Sequence, residues 1–165
     1  MPSRPTRKRI RLPDYDYSQT GCYFITICTK DGCPLLGNIT QNAEDDTAYV
    51  TLTQTGNFIQ TYLEKMNTST GDISLERYVI MPNHIHLLIA IQRERTGTAH
   101  PSKAMIPNIV HGIKSATTRQ IGVSIWQRSY HEHVVRSEKT YLRICRYIDE
   151  NPQKWVEDCY YVRGM

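Results

Sequence analysis

The chain has 165 residues, 39% of them apolar, with twenty lysines and arginines against sixteen acids. That is enough apolar material for one packed domain and too much for a disordered chain, while a net charge of +4 permits a polyanionic partner without specifying one. No apolar run is long enough to span a bilayer and no signal peptide opens the sequence, and the five cysteines include no Cys-x-x-Cys pair, so a reduced, cytoplasmic protein is expected rather than a disulfide framework or a zinc knuckle.

Taken in order, residues 1–20 read as a basic arm and surface loop, carrying Arg4, Arg7, Lys8, Arg9 and Arg11, and residues 21–165 as a single domain. Residues 23–29, Tyr-Phe-Ile-Thr-Ile-Cys-Thr, are β-branched and aromatic and predict a strand. Residues 35–40 and 48–52 predict a hairpin around Asn42 to Asp46. Ile59, Tyr62, Leu63 and Met66 recur at helical spacing and place a helix over 53–66, broken at Gly71-Asp72. Residues 73–80 and 84–91 predict two antiparallel strands joined at Pro82-Asn83, followed by a polar loop over 92–102.

Ile106, Ile109, Val110, Ile113 and Thr117 form the stripe of a second helix over 103–121, with His111 and Lys114 off that stripe. A short strand over 130–135 leads to Ser137 as N-cap of a last helix, 138–151, stopped by Pro152. The core order β-α-β-β-α-β, with an extra hairpin and a C-terminal helix that bears a tyrosine, predicts an α+β, ferredoxin-like antiparallel sheet with two helices on one face.

Two features carry chemistry. In Val79-Ile80-Met81-Pro82-Asn83-His84-Ile85-His86-Leu87-Leu88-Ile89, His84 and His86 share one strand face while Ile85 turns into the core. Two neighbouring imidazoles are a ready pair of ligands for a divalent metal, although two polar residues on a solvated face would show the same spacing. On the last helix, Tyr141, Leu142, Ile144, Cys145 and Ile148 are assigned to one apolar arc. Arg143, Tyr147 and Asn151 stack as i, i+4, i+8 neighbours along its flank. A phenol there could be a nucleophile, an amide oxygen could meet a metal and a guanidinium could hold a phosphate.

These residues resemble the single-tyrosine HUH transposases, and more narrowly the REP-associated tyrosine transposases of bacteria. The resemblance rests on Met81-Pro82-Asn83-His84-Ile85-His86 and on Tyr147-Ile148-Asp149-Glu150-Asn151-Pro152. Arg11-Leu12-Pro13-Asp14-Tyr15-Asp16-Tyr17 and Trp126-Gln127-Arg128-Ser129-Tyr130 through Arg136 extend it over nearly the whole chain.

The resemblance implies a metal-dependent single-stranded DNA endonuclease and strand transferase acting at repeat hairpins. His84 and His86, with Asn151 as third ligand, would hold one Mg²⁺ or Mn²⁺, and Tyr147 would form a 5′-phosphotyrosine intermediate. The partner would be single-stranded DNA with a palindromic hairpin. DNA would meet Arg143, Arg136, His133, Lys114 and, through the arm, Arg7, Lys8, Arg9 and Arg11. The setting would be the bacterial cytoplasm, in association with the nucleoid. Monomer and homodimer are both open, as is whether the tyrosine helix serves its own subunit; residues 155–165 could hold it there. Asp149 and Glu150 place two acids in the tyrosine helix and could alter the metal preference.

Two rivals come from other classes. A domesticated DNA-hairpin binding protein with little or no catalysis would keep steep salt dependence without cleavage. A metallohydrolase acting on a small substrate would turn over without Tyr147. Within the chain, His131 and His133 are a weaker second pair around an acidic Glu132, Tyr141 falls among the apolar positions, and Trp126 suits base stacking or core packing.

Overall fold

A computed structural model describes residues 20–69, 73–92 and 105–161. The basic arm with Arg7, Lys8, Arg9 and Arg11, the break at Gly71-Asp72 and most of the loop expected over 92–102 lie outside the described residues.

The strands β1 (Gly21–Cys28), β4 (Ile73–Ile80), β5 (His84–Ile91) and β6 (His131–Val135) form one sheet in the order β4-β5-β1-β6. Every pairing in it is antiparallel. Helices α1 (Gln54–Ser69) and α2 (Met105–Ile121) make the two crossovers, which gives the ferredoxin-like plan expected from the element order. Strands β2 (Gly37–Gln41) and β3 (Ala48–Leu52) form the separate hairpin. Helix α3 (Glu138–Glu150) follows β6.

Period-two alternation divides the sheet into two different faces. One face of β1 and β5 carries Tyr23, Ile25, Ile27, Ile85, Leu87, Ile89 and Ile91 into the main core, against Ile59 and Leu63 of α1 and Ile106, Ile109, Val110 and Ile113 of α2. Full burial of each such side chain contributes about 1.5–3 kcal/mol. The other face carries Phe24, Leu88, His84 and His86, and α3 lies over it with Ile144 and Ile148 against Leu88. The pattern that sends Ile85 into the core therefore sends both histidines under α3.

Ser137 caps α3 as expected, its side chain accepting a hydrogen bond from Thr140 N at 3.2 Å. The helix is rolled differently from the expected apolar arc. Its buried line is Ile144 and Ile148, with Tyr141 and Cys145 beside them, while Leu142 is 57% exposed. At ~100° per residue, the centre of the buried arc lies roughly 130° from Leu142. That roll brings Asn151 inside the arc, 1% exposed, and leaves Tyr147 at its edge.

Trp126 is buried in the main core, so packing accounts for it. Lys114 donates from Nζ to the carbonyl oxygens of Gln127 (2.8 Å), Arg128 (3.4 Å) and Ser129 (3.0 Å), tying α2 to the segment before β6. Its three donors are thereby engaged within the fold.

Candidate active site

The site lies between the α3 face of the sheet and the segment that follows α3. His84 and His86 are 0% and 1% exposed, so they are not a solvated pair. Their Nε2 atoms converge at 3.0 Å. Each outer nitrogen has a partner: His84 Nδ1 meets Asn83 Oδ1 at 2.9 Å, and His86 Nδ1 meets Thr26 Oγ1 at 2.8 Å.

The Asn83 amide is oriented from its other end. Its Nδ2 donates to the carbonyls of Gly32 at 3.1 Å and Tyr160 at 2.8 Å. The amide oxygen must then face His84, whose Nδ1 must carry the proton to donate to it. His84 Nε2 is left with its lone pair directed into the site, as a metal ligand requires. Burial lowers the pKa of His84 from 6.5 to about 4, partly opposed by the charge of Asp158, and lowers that of His86 by burial and by His84. Both imidazoles are therefore neutral at pH 7.

Tyr147 comes down from α3 onto this pair. Its hydroxyl lies 3.2 Å from His86 Nε2 and donates to Asp158 Oδ2 at 3.0 Å. Phe24 packs edge-on against the Tyr147 ring, with centroids 6.1 Å apart. Burial first, and then the Asp158 charge, push the phenol's pKa well above its ordinary value of 10.0. The protein alone thus holds Tyr147 protonated, and only added positive charge at the site would favour the phenolate.

Asp158 is the site residue that the sequence reading missed. Its Oδ2 accepts from Tyr147 and from Asn151 Nδ2 at 2.8 Å, and its Oδ1 accepts from Tyr160 N at 2.7 Å. His84, His86 and Asp158 each offer a ligand atom, all within 4.8 Å of one another, and together could hold a metal ion. Asn151 Oδ1 is buried with no hydrogen-bond partner among the described residues. Two neutral imidazoles, one carboxylate and an orphaned amide oxygen fit a divalent cation with mixed nitrogen and oxygen ligands. Gln153 clasps the segment after α3 to the hairpin through Ala48 N (2.6 Å) and Asp46 O (3.2 Å).

No family model matches the chain. An uncharacterized protein of Haemophilus influenzae is 32% identical to it, over 94% of this chain and 93% of its own length. The two belong to one family. A solved structure of a REP-associated tyrosine transposase bound to a REP hairpin aligns with 82% of this chain and 68% of its own, at a TM-score of 0.59 and 20% identity.

The chain has the REP-associated tyrosine transposase fold.

Within that fold the other expected contacts are spread more widely. His133 pairs opposite Phe24 and His131 opposite Thr26 across β1 and β6, so both point to the face that carries His84 and His86. The His131 ring lies 6.4 Å from that of Tyr160. Arg136 is exposed just beyond β6, and Arg143 lines the cleft beside Tyr147. Tyr141 points away from the histidines and donates to Glu76 Oε2 at 3.2 Å.

Proposed function

We propose that the chain is a metal-dependent single-stranded DNA endonuclease and strand transferase that acts at repeat hairpins with Tyr147 as its nucleophile. The observation that supports this reading most strongly is the position of the Tyr147 hydroxyl, 3.2 Å from the inward nitrogen of His86. A tyrosine held by packing alone would have no reason to bring its hydroxyl to a buried pair of neutral imidazoles.

His84, His86 and Asp158 would hold Mg²⁺ or Mn²⁺, with Asn151 steering Asp158 through its amide or joining the ligands through Oδ1. A divalent ion bound there supplies Lewis acidity toward a phosphate oxygen and lowers the charge barrier to a phenolate. The chain's own groups do the rest. Phe24 and Asp158 fix the tyrosine ring and hydroxyl, and Asp158 Oδ2 is the nearest acceptor for the phenol proton. The Tyr147 oxygen bonds to phosphorus as the P–O3′ bond breaks, leaving a 5′-phosphotyrosine and a 3′-hydroxyl that takes up a proton. Attack by another 3′-hydroxyl reverses the step and joins strands without an external energy source. His133 and Arg136 would flank the strand on the sheet side and Arg143 on the helix side.

Calorimetric titration with Mn²⁺, run alongside cleavage of an end-labelled hairpin oligonucleotide, tests the reading. One ion per chain is expected, with both its binding and the cleavage lost in His84→Ala. Undiminished metal affinity in that variant would contradict the ligand assignment. Tight hairpin binding with no cleavage in any divalent metal would instead favour a hairpin-binding module.

A further inference from the structure

Beside Tyr147 a cleft of about 340 Å³ opens along α3, at the small end of the roughly 300–1,000 Å³ of ligand pockets. Two parallel rows of side chains form its wall. Arg143, Tyr147 and Asn151 make one row, and Arg146, Glu150 and Lys154 make the next, each at i, i+4, i+8 spacing. Glu157 and Asp158 close the far side.

By formal charge, three cations in this cleft meet three carboxylates, but the groups are not equally engaged. Lys154 Nζ lies 2.6 Å from Glu150 Oε2. Asp158 Oδ2 accepts from Tyr147 and Asn151. Arg143 and Arg146 have no hydrogen-bonding or ion-pair partner among the described residues. Two guanidiniums with no hydrogen bond or close ion pair among the described residues thus share one wall with the hydroxyl that would attack phosphorus. They face the carboxylates of Glu157 and Asp158, with Glu150 drawing on Arg146 from its own row. Guanidinium is the side chain whose planar fork of donors best matches a phosphate. A cleft of this size has room for about one nucleotide unit and not for a duplex.

We infer that this cleft binds the phosphodiester adjoining the scissile one on a single strand, with Arg146 as a positioning residue that grips it and Arg143 alongside. The inference rests on the strand-cleavage reading above and adds to it the path of the strand and a residue to which no motif assigns a role.

Fluorescence anisotropy in EDTA, on the full chain, separates the two claims. The probes are a DNA hairpin with single-stranded tails on both arms and the same hairpin without tails. Arg146→Gln is compared with Arg119→Gln, which removes the same charge from an exposed position on α2, across the sheet. Arg146→Gln should weaken binding of the tailed hairpin severalfold. It should also reduce the slope of log affinity against log salt by roughly 0.7, one single-strand phosphate contact. The tailless hairpin should be unaffected, and Arg146→Lys should recover most of the slope. Equal losses in Arg146→Gln and Arg119→Gln, or equal losses with both hairpins, would overturn the cleft assignment while leaving the cleavage reading intact. If the wild-type chain bound neither hairpin, both readings would fall together.

Discussion

At the scale of single residues, the site depends on groups that do not touch a substrate. Asn83 fixes the tautomer of His84 only because its own amide is anchored on Gly32 and Tyr160. Asn83→Leu removes that anchor and leaves both histidines in place. Loss of such an orienting partner typically costs 10–100-fold in metal affinity, and calorimetric Mn²⁺ titration of the variant should show a loss of about that size. An unchanged affinity would mean that strand geometry alone sets the ring. The histidine pair, Tyr147 and Asn151 were legible in the sequence because spacing on one strand and one helix places them. Asp158 was not. It lies in an irregular segment where no periodicity assigns a face, and it is one acid among sixteen. Its role appears only when the chain folds back over the sheet.

At the scale of elements, α3 decides whether the tyrosine reaches the histidines. Its anchor is Ile144 and Ile148 on Leu88, one turn from Asn151. Ile148→Ala should destabilise the protein by about 2–5 kcal/mol, read as a shift in the urea midpoint, and Leu142→Ala by much less because Leu142 is 57% exposed. Equal costs for the two variants would contradict the observed roll of the helix. The sequence placed α3 and its Ser137 cap correctly but counted Leu142 among the buried positions. A helical wheel whose apolar arc spreads over almost half a turn does not say which part of that arc meets the sheet. Here the choice falls to the side that buries Asn151 and leaves Tyr147 beside His86. Lys114 shows the same limit. Off the apolar stripe it reads as a solvated cation or a DNA contact, whereas its ammonium is held by three loop carbonyls to which only the tertiary fold brings it.

At the scale of the whole molecule, the ferredoxin-like topology gives the sheet two unlike faces. One is dominated by apolar side chains, with Glu132 of β6, opposite Ile25, as an exception whose carboxylate is buried, and it is packed by α1 and α2 and provides most of the core. The other is free to carry polar chemistry because α3 and the segment behind it exclude solvent there. That order of elements was readable from alternation and helical spacing. The cover over the histidines was not, since it depends on Gln153 docking on the hairpin some hundred residues earlier in the chain. Among the described residues no helix is long and apolar enough to cross a membrane.

In the proposed reaction Tyr147 becomes covalently joined to DNA. Incubating the protein with an end-labelled hairpin oligonucleotide, in Mn²⁺ or in EDTA, and running a denaturing gel would reveal that bond. An SDS-resistant protein–DNA band is expected that requires the metal, is absent in Tyr147→Phe and is retained in Tyr141→Phe. The same band in Tyr147→Phe, or metal-dependent cleavage with no covalent band, would contradict the proposed reaction.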